Sequence, residues 1–414
     1  MPISFFFAPH APASPLDDFT LGAMPTNTTF TRASAGECFN AAGVLASRAT
    51  NIPRFQHDTS TLALRGLLIE EAQTNSIRNS VADGVVAGTP GTTPTNWIVS
   101  TSTNNVTREV IGSGVEDGIE YVDIKYSGVP SSSSGILFFG DQLTQVPAVT
   151  GETWTGSFFF RLVGGSWTNT STNLWMIERN SGGTVVGTPP SKAAVPTSAA
   201  LKTQRYYQTH TLAEATAAYI THRFSIDYTS GNAIDFTVRV GLPQLVKSAC
   251  VCTPIKTSAG TVTRAVEVAT ITNPNALTDK CWIVKGRTPI TNGVVENVIF
   301  QTDDETANNL RAIYYLSGRM YATAVSGGAT QANLDLGAVA NDTHFSIAVR
   351  WDTNDFAASI NGGAIVTDVS GTNPTELTAA RIGTNESSNT WNSTVAFIRT
   401  KLTATDAELP GLSA

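Results

Sequence analysis

Along most of the chain, apolar residues alternate with polar ones at a spacing of two, the pattern of half-buried strands. The cleanest run is Ile234-Asp-Phe-Thr-Val-Arg-Val-Gly-Leu, which sets Ile234, Phe236, Val238, Val240 and Leu242 on one face. His344-Phe-Ser-Ile-Ala-Val-Arg-Trp does the same with Phe345, Ile347, Val349 and Trp351. Thr155-Gly-Ser-Phe-Phe-Phe-Arg-Leu and Tyr219-Ile-Thr-His-Arg-Phe-Ser-Ile-Asp-Tyr are further strand candidates, carrying the aromatic and β-branched residues that pleated surfaces favour. Turn-rich spacers such as Ser131 to Ser134 and Gly187-Thr-Pro-Pro separate them. Asn361-Gly362 is a strong type I′ hairpin signal, and Asn292-Gly293 predicts a second. The one helix expected is at the end, where Thr405 and Glu408 form a capping box and Pro410 keeps it short.

Residues 1–80 break the alternation. Pro2, Pro9, Pro12, Pro15 and Pro25 leave room for few regular elements, and Arg65-Gly-Leu-Leu-Ile-Glu-Glu is the first clear strand-like run. Short strands at regular spacing with turns between them predict sandwiches or barrels. The chain therefore reads as all-β: an irregular N-terminal segment over 1–80, one β-sandwich over 81–260 and a second over 261–414. A Pro-rich segment with little apolar surface of its own reads as an attachment arm that another protein would order.

Composition narrows the function. At 414 residues the chain has room for about two or three domains. Only 14% of residues are charged, so Ser, Thr, Asn and Gly must cover much of the surface. The net charge is 26 − 33 = −7 and no Lys/Arg run exists, which argues against a nucleic-acid partner. No stretch reaches the ~20 apolar residues of a membrane-spanning helix. The start, Met1-Pro-Ile-Ser-Phe-Phe-Phe, lacks the basic flank of a signal peptide, so the expectation is synthesis and folding in a cytosol. Cys38, Cys250, Cys252 and Cys281 are too few for a disulfide scaffold and read as buried free thiols.

Several scattered segments resemble one family. Phe30-Thr-Arg-Ala-Ser, Gly43-Val-Leu, Asn51-Ile-Pro-Arg-Phe and Gly66-Leu-Leu-Ile-Glu-Glu-Ala-Gln-Thr-Asn are similar to a module of spike and fibre proteins of tailed phages and gene transfer agents. Trp97, Gly241-Leu-Pro-Gln-Leu and Thr261-Val-Thr-Arg-Ala-Val-Glu-Val-Ala resemble its downstream part, so the likeness runs from residue 28 to about 270. Cys250-Val-Cys-Thr-Pro departs from the Ser/Thr-Pro stretch usual there. The remainder resembles a laminin-G or concanavalin-like sandwich through Ile347-Ala-Val-Arg-Trp, Asp355-Phe-Ala-Ala-Ser-Ile-Asn-Gly-Gly, Ala380-Arg-Ile-Gly and Phe397-Ile-Arg. The resemblance implies a jelly-roll first sandwich. It also implies a homotrimer or fibre on the virion surface, attached to other virion proteins through the N-terminal segment, that binds host-surface polysaccharide.

Motifs for catalysis are absent: there is no G-x-S-x-G elbow, no H-E-x-x-H and no P-loop. None of the five histidines lies at ligand spacing with another, and His222 and His344 fall inside strand patterns as structural residues. Glycoside cleavage needs two carboxylates across the scissile bond. Glu70 and Glu71 face opposite sides of a strand, Glu116-Asp117-Gly118 reads as a turn, and Asp303-Asp304-Glu305 sits in a loop. That last cluster is the candidate cation site, with calcium the fitting ion, and no other cofactor is implied. Sugars stack on aromatic faces. Trp97, Trp167 and Trp391 lie among Asn, Ser, Thr and Gly and are the candidate carbohydrate-binding residues. The expected function is non-catalytic adhesion. The alternatives are a structural capsid or tail component and a polysaccharide depolymerase.

Overall fold

The computed structural model describes residues 17–414 except 102, 103 and 274. The described chain is built from antiparallel sheets stacked as two β-sandwiches, in keeping with the alternation above.

The first sandwich lies within residues 76–257. One five-stranded sheet runs in the order Arg205–Thr211, Thr153–Ser166, Ile234–Val246, Ile119–Gly128 and Val106–Glu116. The facing sheet runs Ser191–Ala193, Thr170–Arg179, Tyr219–Tyr228, Ser134–Phe139 and Ile98–Val99. Phe236, Val238 and Val240 point into a core with Phe158, Phe138 and Phe224, and the last two rings stack at 4.3 Å. Asp117 and Gly118 both have positive φ, so the expected turn at Glu116-Asp117-Gly118 is a tight hairpin.

The second sandwich is assembled from both ends of the chain. Its eight-stranded sheet runs Val366–Asp368, Asp355–Ile360, His344–Asp352, Cys281–Arg287, Ser393–Lys401, Leu64–Ile69 and Phe55–His57, with Asp17–Asp18 also paired to Ser393–Lys401. Its seven-stranded sheet runs Thr28–Thr31, Val268–Ile271, Ala379–Ile382, Asn297–Asp303, Leu310–Leu316, Arg319–Ser326 and Ala329–Ala338. Phe19, Leu67 and Ile69 are fully buried in the same core as Trp282, Trp351 and Phe300.

This corrects the expected division at residue 80. From Asp17 onward the N-terminal segment is not a separate arm: Asp17–Asp18, Thr28–Thr31 and Leu64–Ile69 pair with strands more than two hundred residues away, Phe55–His57 joins Leu64–Ile69, and the hairpin of Gly36–Phe39 and Leu45–Arg48 buries Phe39 and Leu45 against the inserted sandwich. The expected attachment residues before Asp17 lie outside the described residues. The first sandwich is thus an insertion in the second. Its departing and returning strands, Gln73–Asn75 and Val262–Arg264, pair antiparallel with each other.

The hairpin at Asn361-Gly362 is as expected. Both residues have positive φ, Gly363 N–H donates to Ile360 O at 2.8 Å, and the turn joins Asp355–Ile360 to Val366–Asp368. Asn292-Gly293 is not a hairpin, because the strands flanking it, Cys281–Arg287 and Asn297–Asp303, belong to different sheets. At the C-terminus, Thr405 N–H donates to the Glu408 carboxylate at 2.7 Å, starting the short helical turns 406–412.

Candidate functional site

Five charged residues from four distant segments meet where the two sandwiches join. Arg32 follows the strand Thr28–Thr31, Arg54 precedes Phe55–His57, Glu70 ends Leu64–Ile69, and Arg264 and Glu267 come from the returning chain. Arg54 bonds Glu267 at 2.5 Å and Glu70 at 2.7 Å, Arg32 bonds Glu267 at 2.8 Å, and Arg264 bonds Glu70 at 2.9 Å. Their side chains are 0–2% exposed. Burial alone would raise the Glu70 carboxyl, but Arg264, Arg54 and two hydrogen bonds from Thr253 outweigh it and hold it at about 2. The spare guanidinium donors go to backbone carbonyls of Glu37, Arg48, Ala49 and Glu71.

Gly36 lies against this layer. A Cβ there would come within 3.2–3.3 Å of Arg32, Arg54 and Arg264 together. Asn75 ties the departing strand to the inserted sandwich, and Gln244 fixes the chain that leaves it. The Asn75 amide oxygen accepts from Leu245 N–H at 3.1 Å, and the Gln244 amide oxygen accepts from Ile255 N–H at 2.7 Å.

Above the buried layer opens a cleft of about 270 Å³. The inserted sandwich contributes Phe159, Lys202, Arg205 and Tyr207, and the split sandwich contributes Gln56, Arg65, Asp342 and Asn392. A second depression of about 360 Å³ adjoins it, sharing Tyr207 and Ile290 and adding Lys192, Gln208, Asn292 and Asn341. Tyr207 is half-buried, and burial followed by the charge of Asp342 pushes its phenol upward. Polar side chains around a half-buried ring can accept sugar hydroxyls and the apolar face of a sugar. The two carboxylates in the cleft are occupied. Glu70 is locked in the ion layer, and Asp342 is held by Arg287 and, at 3.4 Å, by Arg65.

Compared with known proteins, the chain matches no family model and no curated sequence.

The three tryptophans expected to meet sugar lie elsewhere. Trp391 is fully buried in the core of the split sandwich, edge-on to Phe345 at 5.7 Å, with its indole N–H on Thr394 O. Trp97 is 6% exposed and donates to Asn79 O at 2.9 Å. Trp167 is half-buried and packs against Phe236 at 4.9 Å and Phe160 at 5.7 Å. Around Trp97 and Trp167 polar neighbours such as Thr95, Ser166 and Thr168 are exposed while the rings turn down into the core, whereas at Trp391 the flanking Thr390 and Asn392 are buried with the ring.

Trp175 was missed. It stands on the opposite side of its strand from Leu174 and Met176, which are buried, and the guanidinium of Arg223 lies 5.2 Å from its ring centre. Its cross-strand neighbour, Ser191, lines the second depression. The signal was available: in Thr170-Ser-Thr-Asn-Leu-Trp-Met, Trp175 shares the parity of Asn173.

The acidic loop is not an open cation site. Asp303 is fully buried and accepts from Arg381 at 2.8 Å and Gln301 at 3.0 Å, and Arg381 also pairs with Glu305. Asp304 accepts from Thr306 and Asn309. The oxygens a calcium ion would need already face donors, and no group of three potential ligands is assembled among the described residues. The four cysteines are buried and free, as expected.

Proposed function

We propose that this chain is a non-catalytic surface protein of a phage-like particle that binds cell-surface polysaccharide in the junction cleft. The observation that carries this reading is the paired depression around Tyr207, which is lined by amide, hydroxyl and cationic side chains drawn from both sandwiches. The family resemblance supplies the particle and the polysaccharide. Adhesion rather than cleavage is favoured because Glu70, held at about 2, has no proton to give near neutral pH, and Asp342 is committed to two arginines. Weak single-site binding would be multiplied about 10²–10⁴-fold by several copies on one particle, as in the homotrimer the resemblance implies.

Attachment to other virion proteins falls to residues 1–16 in this reading, since the chain from Asp17 is engaged in the split sandwich. Removing those residues is expected to release the protein from particles.

The direct test is a pull-down of purified surface polysaccharide with the whole protein, sizing the polymer before and after. Retention at unchanged length is expected. Shortened polymer would replace this reading with a depolymerase, and no retention would favour a structural virion role.

A further inference from the structure

The cations around the cleft divide into two kinds. Arg65 is paired with Asp58 at 2.5 Å and with Asp342, Lys202 lies 3.3 Å from Asp117, and Arg54 and Arg264 belong to the buried layer. Arg205 and Lys192 are different: among the described residues neither has a carboxylate within ion-pairing distance. Other cations, Arg179 and Arg311 among them, also bond no carboxylate among the described residues; what sets Arg205 and Lys192 apart is that they line adjoining depressions that a ligand can enter.

Arg205 is held in place from beneath. Its Nε and Nη2 donate to Ser157 Oγ at 3.3 and 2.9 Å, its Nη1 donates to Cys252 O at 2.8 Å, and the guanidinium lies over the Phe159 ring at 5.5 Å. A guanidinium has five N–H donors. These bonds use three and leave one N–H on each terminal nitrogen of the guanidinium fork, donors that a carboxylate can accept. Lys192 lies over the Tyr207 ring at 4.0 Å, so an aromatic face, not an acid, positions its ammonium in the second depression, beside the residue that both depressions share. Burial works against both charges, lowering the affinity of each group for its proton. A bound anion would offset that cost.

We propose that the cleft is specific for acidic polysaccharide, with Arg205 receiving the carboxylate of a uronic or sialic acid unit and Lys192 the charge of the neighbouring unit across Tyr207. This rests on the glycan-binding reading above and adds the chemical class of the glycan.

The test measures retention of the whole protein on polygalacturonate, alginate, hyaluronate and polysialic acid. Their carboxyl-reduced forms, dextran, starch and dextran sulfate serve as comparisons. At least one carboxylate polymer is expected to bind, its carboxyl-reduced form at least ~10-fold more weakly. Lys192→Gln and Arg205→Gln should each cost ~10-fold or more, and Arg205→Lys should keep only part of the affinity because it loses the fork. Lys192 is exposed, so its variant tests the idea even if Arg205→Gln disturbs folding. Lys247→Gln removes the same charge from an exposed pair with Glu152, outside the residues that line the cleft, and should leave binding unchanged. An equal loss in that variant, or dextran sulfate binding as well as the carboxylate polymers do, would reduce the effect to general electrostatics and overturn the proposal. Retention on neutral glycans alone would overturn acidic specificity and leave adhesion standing. Retention on none of the polymers would overturn both.

Discussion

The two sandwiches share an architecture and differ in how they are held. The inserted one is made from a continuous stretch of chain, and its core is aromatic, with Phe138, Phe158 and Phe160 all packed against Phe224. The split one is incomplete without strands from residues 17–75, and its seam with the insertion is a buried layer of three arginines and two glutamates. Apolar contacts tolerate repacking, whereas a buried ion layer is costly when any member is lost. The insertion is therefore expected to be self-sufficient, and the split sandwich to depend on distant pieces of chain arriving together.

The largest effect should follow from cutting that dependence. Residues 76–257 alone should melt cooperatively, while residues 253–414 alone should show no cooperative transition by calorimetry. Cooperative melting of the second fragment would mean that the N-terminal strands merely decorate a complete fold.

Next come single changes that strike one sandwich only. Glu267→Ala leaves Arg32 and Arg54 with a buried charge uncompensated and should cost about 3–5 kcal/mol in denaturant melts, in the transition of the split sandwich. Trp391→Ala should cost a similar ~3–5 kcal/mol in that transition, and Trp97→Ala should act on the other. Neither tryptophan change should alter glycan affinity in the protein that remains folded.

A smaller difference should appear in acid. His222 is buried in the insertion, 4.4 Å from the Phe158 ring, with no hydrogen-bond partner on either ring nitrogen among the described residues, and burial lowers its pKa to about 3. Gly156 makes room for it, since a Cβ there would lie 2.4 Å from the ring. Below its ordinary pKa of 6.5 the unfolded chain takes up a proton that the folded one refuses. The stability of the insertion should therefore be whole above pH 6.5 and fall towards pH 3, by ~1.4 kcal/mol per pH unit. His222→Phe should flatten that slope. The Glu70 contribution to the split sandwich is present above 4.5 and lost only as pH falls towards about 2. Melts at pH 7, 5.5 and 4 should thus show the insertion weakening first.

The same contrast explains what was legible in the sequence. Long local patterns came through: the alternation at Ile234–Val246, the turn at Asp117-Gly118 and the hairpin at Asn361-Gly362 need only near neighbours. The N-terminal strands did not, because Thr28–Thr31 and Phe55–His57 are too short to show a period and their partners lie far along the chain or across a bulge. The segments that carried the family resemblance contain Arg32, Arg54, Glu70, Arg264 and Glu267, but nothing in their spacing shows that they form one ion layer. Polar surroundings misplaced Trp391, because Thr390, Asn392 and Thr394 are polar residues buried together with its ring, and strand parity applied to Trp175 would have marked it as outward-facing. The cleft was out of reach, since its walls come from both sandwiches.

The central claim is that glycan is held at the junction, by both sandwiches at once. It is tested most directly by measuring polysaccharide affinity for the whole chain, for its Tyr207→Ala variant and for the separately melting fragment 76–257. The account predicts strong retention by the whole chain and a loss of ~10-fold or more in both others, although the fragment keeps Trp97, Trp167 and Trp175. Full affinity in the fragment would place the site on the inserted sandwich alone, and full affinity in Tyr207→Ala would place it away from the cleft; either result would contradict the account.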